Sequence, residues 1–230
     1  MSRFAPLPAV QPRSTSSIAP SSRGLAALRR SLGLGAPALT FGIPQIDALT
    51  DGFARGALHE IIGEQAAVSG FLAALLGRDR RRAQILWVTA GGSLHAPTLG
   101  QLGLDHRRLT VVSTPRIFDR CRAAEEGMVQ LGYGAVVAEI EQAGSDVAHC
   151  LQEAASRRSA VAFLVRQATL TQEGWPQPSL AATRWSVQAA HSDGFRPCWR
   201  IALEACDGSA LHGEWQIEWD HAASEFRLAA

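Results

Sequence analysis

The chain has 230 residues, 47% of them hydrophobic and 19% charged, with a formal net charge of +1. That is enough chain for one sizeable domain or two small ones, and so even a balance excludes a global field drawing the molecule onto nucleic acid or an anionic membrane. No apolar run reaches the roughly 18 residues that cross a bilayer, so a cytoplasmic protein without membrane contact is expected.

Residues 1–24 are rich in Pro, Ser and Arg and contain no acid. Such a stretch cannot bury enough apolar surface to offset its ordering entropy, which predicts a disordered tail. Over 25–35, Leu25, Leu28 and Leu32 recur at helical spacing around Arg29 and Arg30 until Gly33 and Gly35 break the pattern. This predicts a short amphipathic helix with a basic face that either caps the domain or docks a partner. Residues 36–230 read as a single domain. Strands are predicted over 57–62, 85–89, 109–113, 134–139 and 160–165, with helices over 65–76, 117–131 and 144–156. Strands alternating with helices in this way indicate βαβ units, an α/β fold with a mostly parallel twisted sheet covered by helices. Further on, Trp185 and Val187, then Trp199, Ile201 and Leu203, then Trp215, Ile217 and Trp219 alternate with polar neighbours, and 225–228 adds a short run. Period-2 alternation predicts antiparallel strands extending the sheet.

The four cysteines, Cys121, Cys150, Cys198 and Cys206, form no C-x-x-C pair. They read as unpaired thiols in a reducing compartment, with no metal site. All 22 basic residues are arginine; the chain has no lysine.

The segment from Gly42-Ile43-Pro44-Gln45-Ile46-Asp47, through Asp51-Gly52-Phe53-Ala54-Arg55-Gly56, to Leu58-His59-Glu60-Ile61-Ile62-Gly63 resembles the entrance to RecA-family ATPase cores. A phosphate-binding loop there reads G-x-x-x-x-G-K-[ST], its amides and helix N-terminus holding the phosphates while lysine and hydroxyl serve the γ-phosphate and Mg²⁺. Here the run is Gly63-Glu64-Gln65-Ala66-Ala67-Val68-Ser69-Gly70, which puts Val68 at the second glycine, Ser69 at the lysine and Gly70 at the hydroxyl. Without any lysine no register restores the loop, and arginine is too large and planar to stand in. Gly92 falls near the position of the catalytic acid. Val136-Val137-Ala138-Glu139 matches the Walker B strand, with Glu139 in place of aspartate. The expectation is a non-enzyme whose nucleotide-site remnant is Gly63, Ser69, Gly70 and Glu139. No cofactor is expected, with weak ATP binding left open.

Leu28-Arg29-Arg30, the Arg55 to Glu60 run, the degenerate loop and a Trp-rich end at Trp185, Trp199, Trp215 and Trp219 also follow one another as in the ImuA proteins of bacterial SOS mutagenesis cassettes, which this sequence resembles. The resemblance implies a non-catalytic RecA-like role in the DNA damage response and error-prone translesion synthesis, with nucleoid association when DNA is damaged. The implied partners are an ImuB-like inactive Y-family polymerase, RecA itself and, indirectly, an error-prone replicative-type polymerase subunit. Two alternatives are a SulA-type cell-division inhibitor binding FtsZ and an active RecA-like DNA-dependent ATPase. Direct DNA binding is expected to be weak or absent. Its candidate residues are Arg166, Gln167, Trp175 and Arg184, around the loop after the 160–165 strand, where charge and stacking combine. Leu28, Arg29, Arg30, Trp215 and Trp219 are the candidate partner surface.

Overall fold

The computed structural model describes residues 38–91, 94–141, 143–167, 180–192, 196–206 and 212–229. The predicted tail and basic helix, with Leu28, Arg29 and Arg30, lie outside the described residues, as do Gly92 and Trp175. The elements in chain order are α1 (Pro44–Thr50), β1 (Ala57–Gly63), α2 (Gln65–Gly77), β2 (Ile85–Thr89), α3 (Ala96–Gln101), a 3₁₀ turn (His106–Arg108), β3 (Leu109–Ser113), α4 (Ile117–Val129), β4 (Ala135–Glu139), α5 (Ser145–Arg158), β5 (Val161–Gln167), β6 (Thr183–Ala189), β7 (Cys198–Cys206), β8 (Gly213–Asp220) and β9 (Glu225–Leu228).

Among the described residues these strands form one sheet in the order β3-β2-β4-β5-β1-β6-β7-β8-β9. Every pair from β3 to β6 is parallel, and β7, β8 and β9 are added antiparallel. The Trp185 strand was expected to be antiparallel throughout. It is instead the junction, parallel to β1 on one side and antiparallel to β7 on the other.

The central strands are continuous apolar runs because both faces of the sheet are covered; all five residues of β2 and of β4 are buried. On one face, α2 packs against Ile61, Trp87, Val137 and Phe163. This helix is apolar on nearly every side because it lies between the sheet and α3. On the other face, α4 and α5 cover Leu58, Leu86, Val136, Ala162 and Leu164 through Ala124, Met128, Leu151 and Ala155.

The antiparallel strands carry their aromatic residues to the α2 face. Phe41 is the hub, with ring centroids 5.2 Å from Trp185, 5.3 Å from Phe53 and 5.9 Å from Phe71. Tilted rings at such separations add packing energy beyond the area they bury. The Gly42 to Asp47 motif holds this hub in place. Asp47 accepts the amides of Phe41 (2.9 Å) and Gly42 (2.8 Å), while Ile43 and Ile46 anchor α1 in the core. Gly42 sits at φ +75°, a conformation that glycine takes freely.

Candidate functional site

In a parallel α/β sheet, ligands bind beyond the carboxyl ends of the strands. At that edge β1 ends on Gly63 and α2 begins on Gln65, so Glu64 alone links strand to helix. Its extended backbone (φ −67°, ψ 135°) turns the chain directly into the helix, and its carbonyl accepts the first helical hydrogen bond, from Val68 (3.0 Å). A phosphate cradle needs a loop of several residues whose amides converge on the anion. One residue is too short to form it.

Gly63 has a packing role. A Cβ there would lie 2.0 Å from the carbonyl oxygen of Val187 on β6 and 2.8 Å from Val68 Cγ2. Replacing Gly63 with alanine is therefore expected to destabilise the protein by about 1–3 kcal/mol through overpacking. A denaturant melt of the ligand-free protein checks this, since a glycine retained only for phosphate would show no such loss.

The short link also changes the register read from sequence. Ser69 and Gly70 fall in the second turn of α2, away from the strand end. Ser69 is buried, and Gly70 faces the Trp199 ring and Leu102. They were expected at the loop mouth, but counting eight residues from Gly63 assumes a loop that the helix has absorbed.

Glu139, at the end of β4, is 6% exposed and enclosed by donors. Trp87 Nε1 donates to its Oε1 (2.8 Å), while the Thr89 hydroxyl (2.6 Å) and Gln65 Nε2 (3.0 Å) donate to its Oε2. β2 pairs with β4, which sets Thr89 beside the strand end, and alternation turns Trp87, Thr89 and Glu139 toward α2. Gln65, the first helical residue, closes the group. Charge-assisted bonds of this kind are the strong ones. A metal ion at Glu139 would have to compete with these three bonds.

The two arginines expected to face DNA do not do so. Arg166 and Arg184 are 6% and 4% exposed, and both clasp Glu60, which is 1% exposed. Arg166 Nη2 lies 3.1 Å from one carboxylate oxygen and Arg184 Nε 2.9 Å from the other; Arg166 Nη1 also donates to the carbonyl of Ala143 (2.8 Å). The cause is the strand order. β1 runs between β5 and β6, so charges in three separate apolar runs meet on one face of the sheet. Gln167 closes β5.

On the opposite face of β1, His59 is fully buried. Its Nδ1 lies 2.8 Å from the Thr183 hydroxyl and its Nε2 3.0 Å from the Ala54 carbonyl. Trp185 Nε1 donates to the same hydroxyl (3.0 Å). A carbonyl only accepts, so Nε2 carries the proton and the Thr183 hydroxyl donates to Nδ1. Burial holds the imidazole's pKa down to about 4 from 6.5, leaving it neutral.

The candidate partner surface is corrected as well. Trp219 is 1% exposed and packs 5.2 Å from Phe226, so it belongs to the core. Trp215 is half-buried against the Trp185 ring at 6.2 Å. Period-2 alternation identifies the face on which they lie but not what covers it. The exposed large apolar side chains among the described residues include Val111 on β3 and Ile117 and Phe118 at the start of α4, with Phe118 74% exposed.

No protein-family profile and no curated protein sequence matches the chain. Among solved structures, the crystal structure of the RadB recombinase superposes with a TM-score of 0.62 at 15% identity, over 84% of this chain and 100% of that one. No helix among the described residues is long and apolar enough to cross a membrane. The strand order, the helices on both faces, the antiparallel extension and this superposition together give the chain a RecA-like fold.

Proposed function

We propose that this chain is a RecA-like protein that does not hydrolyse ATP and works by binding protein partners in SOS-induced, error-prone translesion DNA synthesis, as an ImuA-type accessory. The observation that carries the non-catalytic reading is the Glu139 carboxylate held by Gln65, Trp87 and Thr89 beside a one-residue link. Phosphoryl transfer depends on positioning and on charge placed against the phosphates, and here the polar side chains around Glu139 are committed to one another. The role in mutagenesis rests on the order of motifs in the sequence. The partners it implies are the inactive Y-family polymerase relative and RecA, with the replicative-type polymerase subunit recruited indirectly.

A partner surface is to be sought at Ile117 and Phe118, adjacent at the exposed start of α4. Exposed apolar side chains grouped in this way mark interaction sites, and a large aromatic is the usual anchor. The antiparallel strands fit the role less well, because Trp219 and Phe226 belong to the core and removing them would remove the fold. Two measurements test the reading. Phosphate release with ATP, Mg²⁺ and DNA should stay at background, and robust turnover overturns the non-catalytic assignment. Capture from DNA-damaged cells should recover the Y-family polymerase relative, and a Phe118→Asp variant with an unchanged melting temperature should lose it. Recovery of FtsZ in its place would favour the cell-division reading.

A further inference from the structure

The amino ends of the parallel strands, the edge opposite Gly63 and Glu139, carry a concentration of positive charge out of proportion to the chain's net +1. Two turns meet there. One runs from the end of α2 through Arg80, Arg81 and Arg82 into β2, and the other is the 3₁₀ turn with Arg107 and Arg108 leading into β3. They are adjacent because Ile85 pairs with Leu109. Buried Arg108 ties them together, donating through Nε to the carbonyl of Ala83 (3.0 Å). Arg80, Arg81, Arg82 and Arg107 are exposed. Asp105 is the only acid exposed on these turns, and it is engaged by the Arg107 amide at 3.0 Å. That bond, with the neighbouring charges of Arg107, His106 and Arg82, holds its carboxyl below the ordinary carboxylate range.

The first turn is built to hold its arginines in place. Asp79 is buried and paired with buried Arg55 at 2.8 Å, so its charge is spent inside. The same carboxylate accepts the amide of Arg81 (3.1 Å), and the Asp79 carbonyl accepts the amide of Arg82 (3.0 Å). Arg82 sits at φ +51°, a conformation that L side chains rarely adopt and glycine takes freely. By contrast, Arg78 is occupied structurally, donating to the carbonyls of Thr40 and Phe41 and lying 5.8 Å from the Phe226 ring centroid.

We propose that this edge binds the phosphate backbone of duplex DNA without reading its sequence. Guanidinium forks suit phosphate oxygens. Neither turn carries a Phe, Tyr or Trp on which an unpaired base would stack, and the ring of Tyr133, on the neighbouring turn into β4, packs against the α4 side of the sheet, which favours duplex over single strand. On the two turns themselves the exposed groups are guanidinium rather than large apolar side chains, the exposed Leu131 standing on the next turn, into β4, and a protein interface would centre on such an anchor. The assignment stands apart from the partner-binding reading and from the loops after β4 and β5.

The test is titration of the full chain into a fluorescent duplex of random sequence between about 50 and about 200 mM salt. Replacing Arg80, Arg81, Arg82 and Arg107 together with alanine should weaken binding more than about tenfold and reduce the slope of log affinity against log salt by roughly 3 to 4. A control replacing exposed, acid-paired Arg122, Arg157, Arg196 and Arg200 makes the same charge change and should alter neither as much. Arg82→Gly should melt no lower than the parent yet bind more weakly, an effect that a purely structural arginine would not produce. Unchanged binding by the fourfold variant overturns the proposal, as does an equal loss in the control. Tighter, patch-dependent binding of a single strand overturns the duplex assignment. Patch-dependent binding of polyglutamate with duplex binding unaffected assigns the surface to an acidic protein instead.

Discussion

Replacing Glu60 with alanine is expected to destabilise the protein by about 3–5 kcal/mol, a large share of the roughly 5–15 kcal/mol by which a domain of this kind is folded. Glu60 supplies the carboxylate shared by Arg166 and Arg184, all three side chains being more than nine-tenths buried. Removing it takes from two buried guanidinium groups the carboxylate that they share. Coulomb repulsion between them then adds to the cost, because the surrounding dielectric is low. The argument separates the value of the pair from the cost of breaking it. Changing all three residues to apolar side chains of similar volume, Glu60→Leu with Arg166→Met and Arg184→Met, should recover most of the lost stability. Urea denaturation of the single and triple variants checks both statements. A Glu60→Ala protein as stable as the parent would mean that solvent reaches the cluster and that its charges are not buried in solution.

The fold was legible because its central strands must be apolar on both faces. Ile85 to Thr89 and Gly134 to Glu139 are read as strands for that reason, and their limits match to within a residue. α1 and α3 were not legible. Each is seven residues or fewer, has a proline at its start and has too few turns to show a period. The parallel pairing of β6 with β1 was hidden for a different reason. Alternation records which face is buried but not the direction of the neighbouring strand.

The candidate site could be located in the sequence, but its geometry was misread. The absence of lysine is a fact of the sequence, whereas the length of the loop depends on where the helix begins, and Gln65-Ala66-Ala67 is as good a helix start as it is a loop. Arg166 and Arg184 were assigned outward because arginine on a loop near a resemblance-derived DNA site invites that reading. A signal against it was present. Both stand at the ends of apolar runs, as Glu60 does within one, and charges in buried strands are nearly always paired with one another.

The second large effect is a loss of stability on mild acidification that depends on His59. With both ring nitrogens engaged and Phe53 5.1 Å away edge-on, a second proton on Nδ1 is disfavoured, because the Thr183 hydroxyl that donates to it would have to turn away. Burial lowers its pKa to about 4, while in the unfolded chain it keeps its ordinary 6.5. Between these values the unfolded chain binds a proton that the folded one refuses, so stability rises with pH across the window. The full contribution is present above pH 6.5. It falls as pH drops through the window and levels off below about 4. One pKa unit corresponds to about 1.4 kcal/mol, so the whole loss is roughly 3 kcal/mol. Acidic side chains titrate in the same range, and comparison with a His59→Gln variant removes their common contribution. Glutamine keeps a donor for Ala54 and an acceptor for Thr183 but cannot take up a proton. The variant should be less stable at pH 7 yet lose less on going to pH 4.5, so that the two urea midpoints converge. Parallel midpoints across that range would show that His59 does not resist protonation in the folded protein.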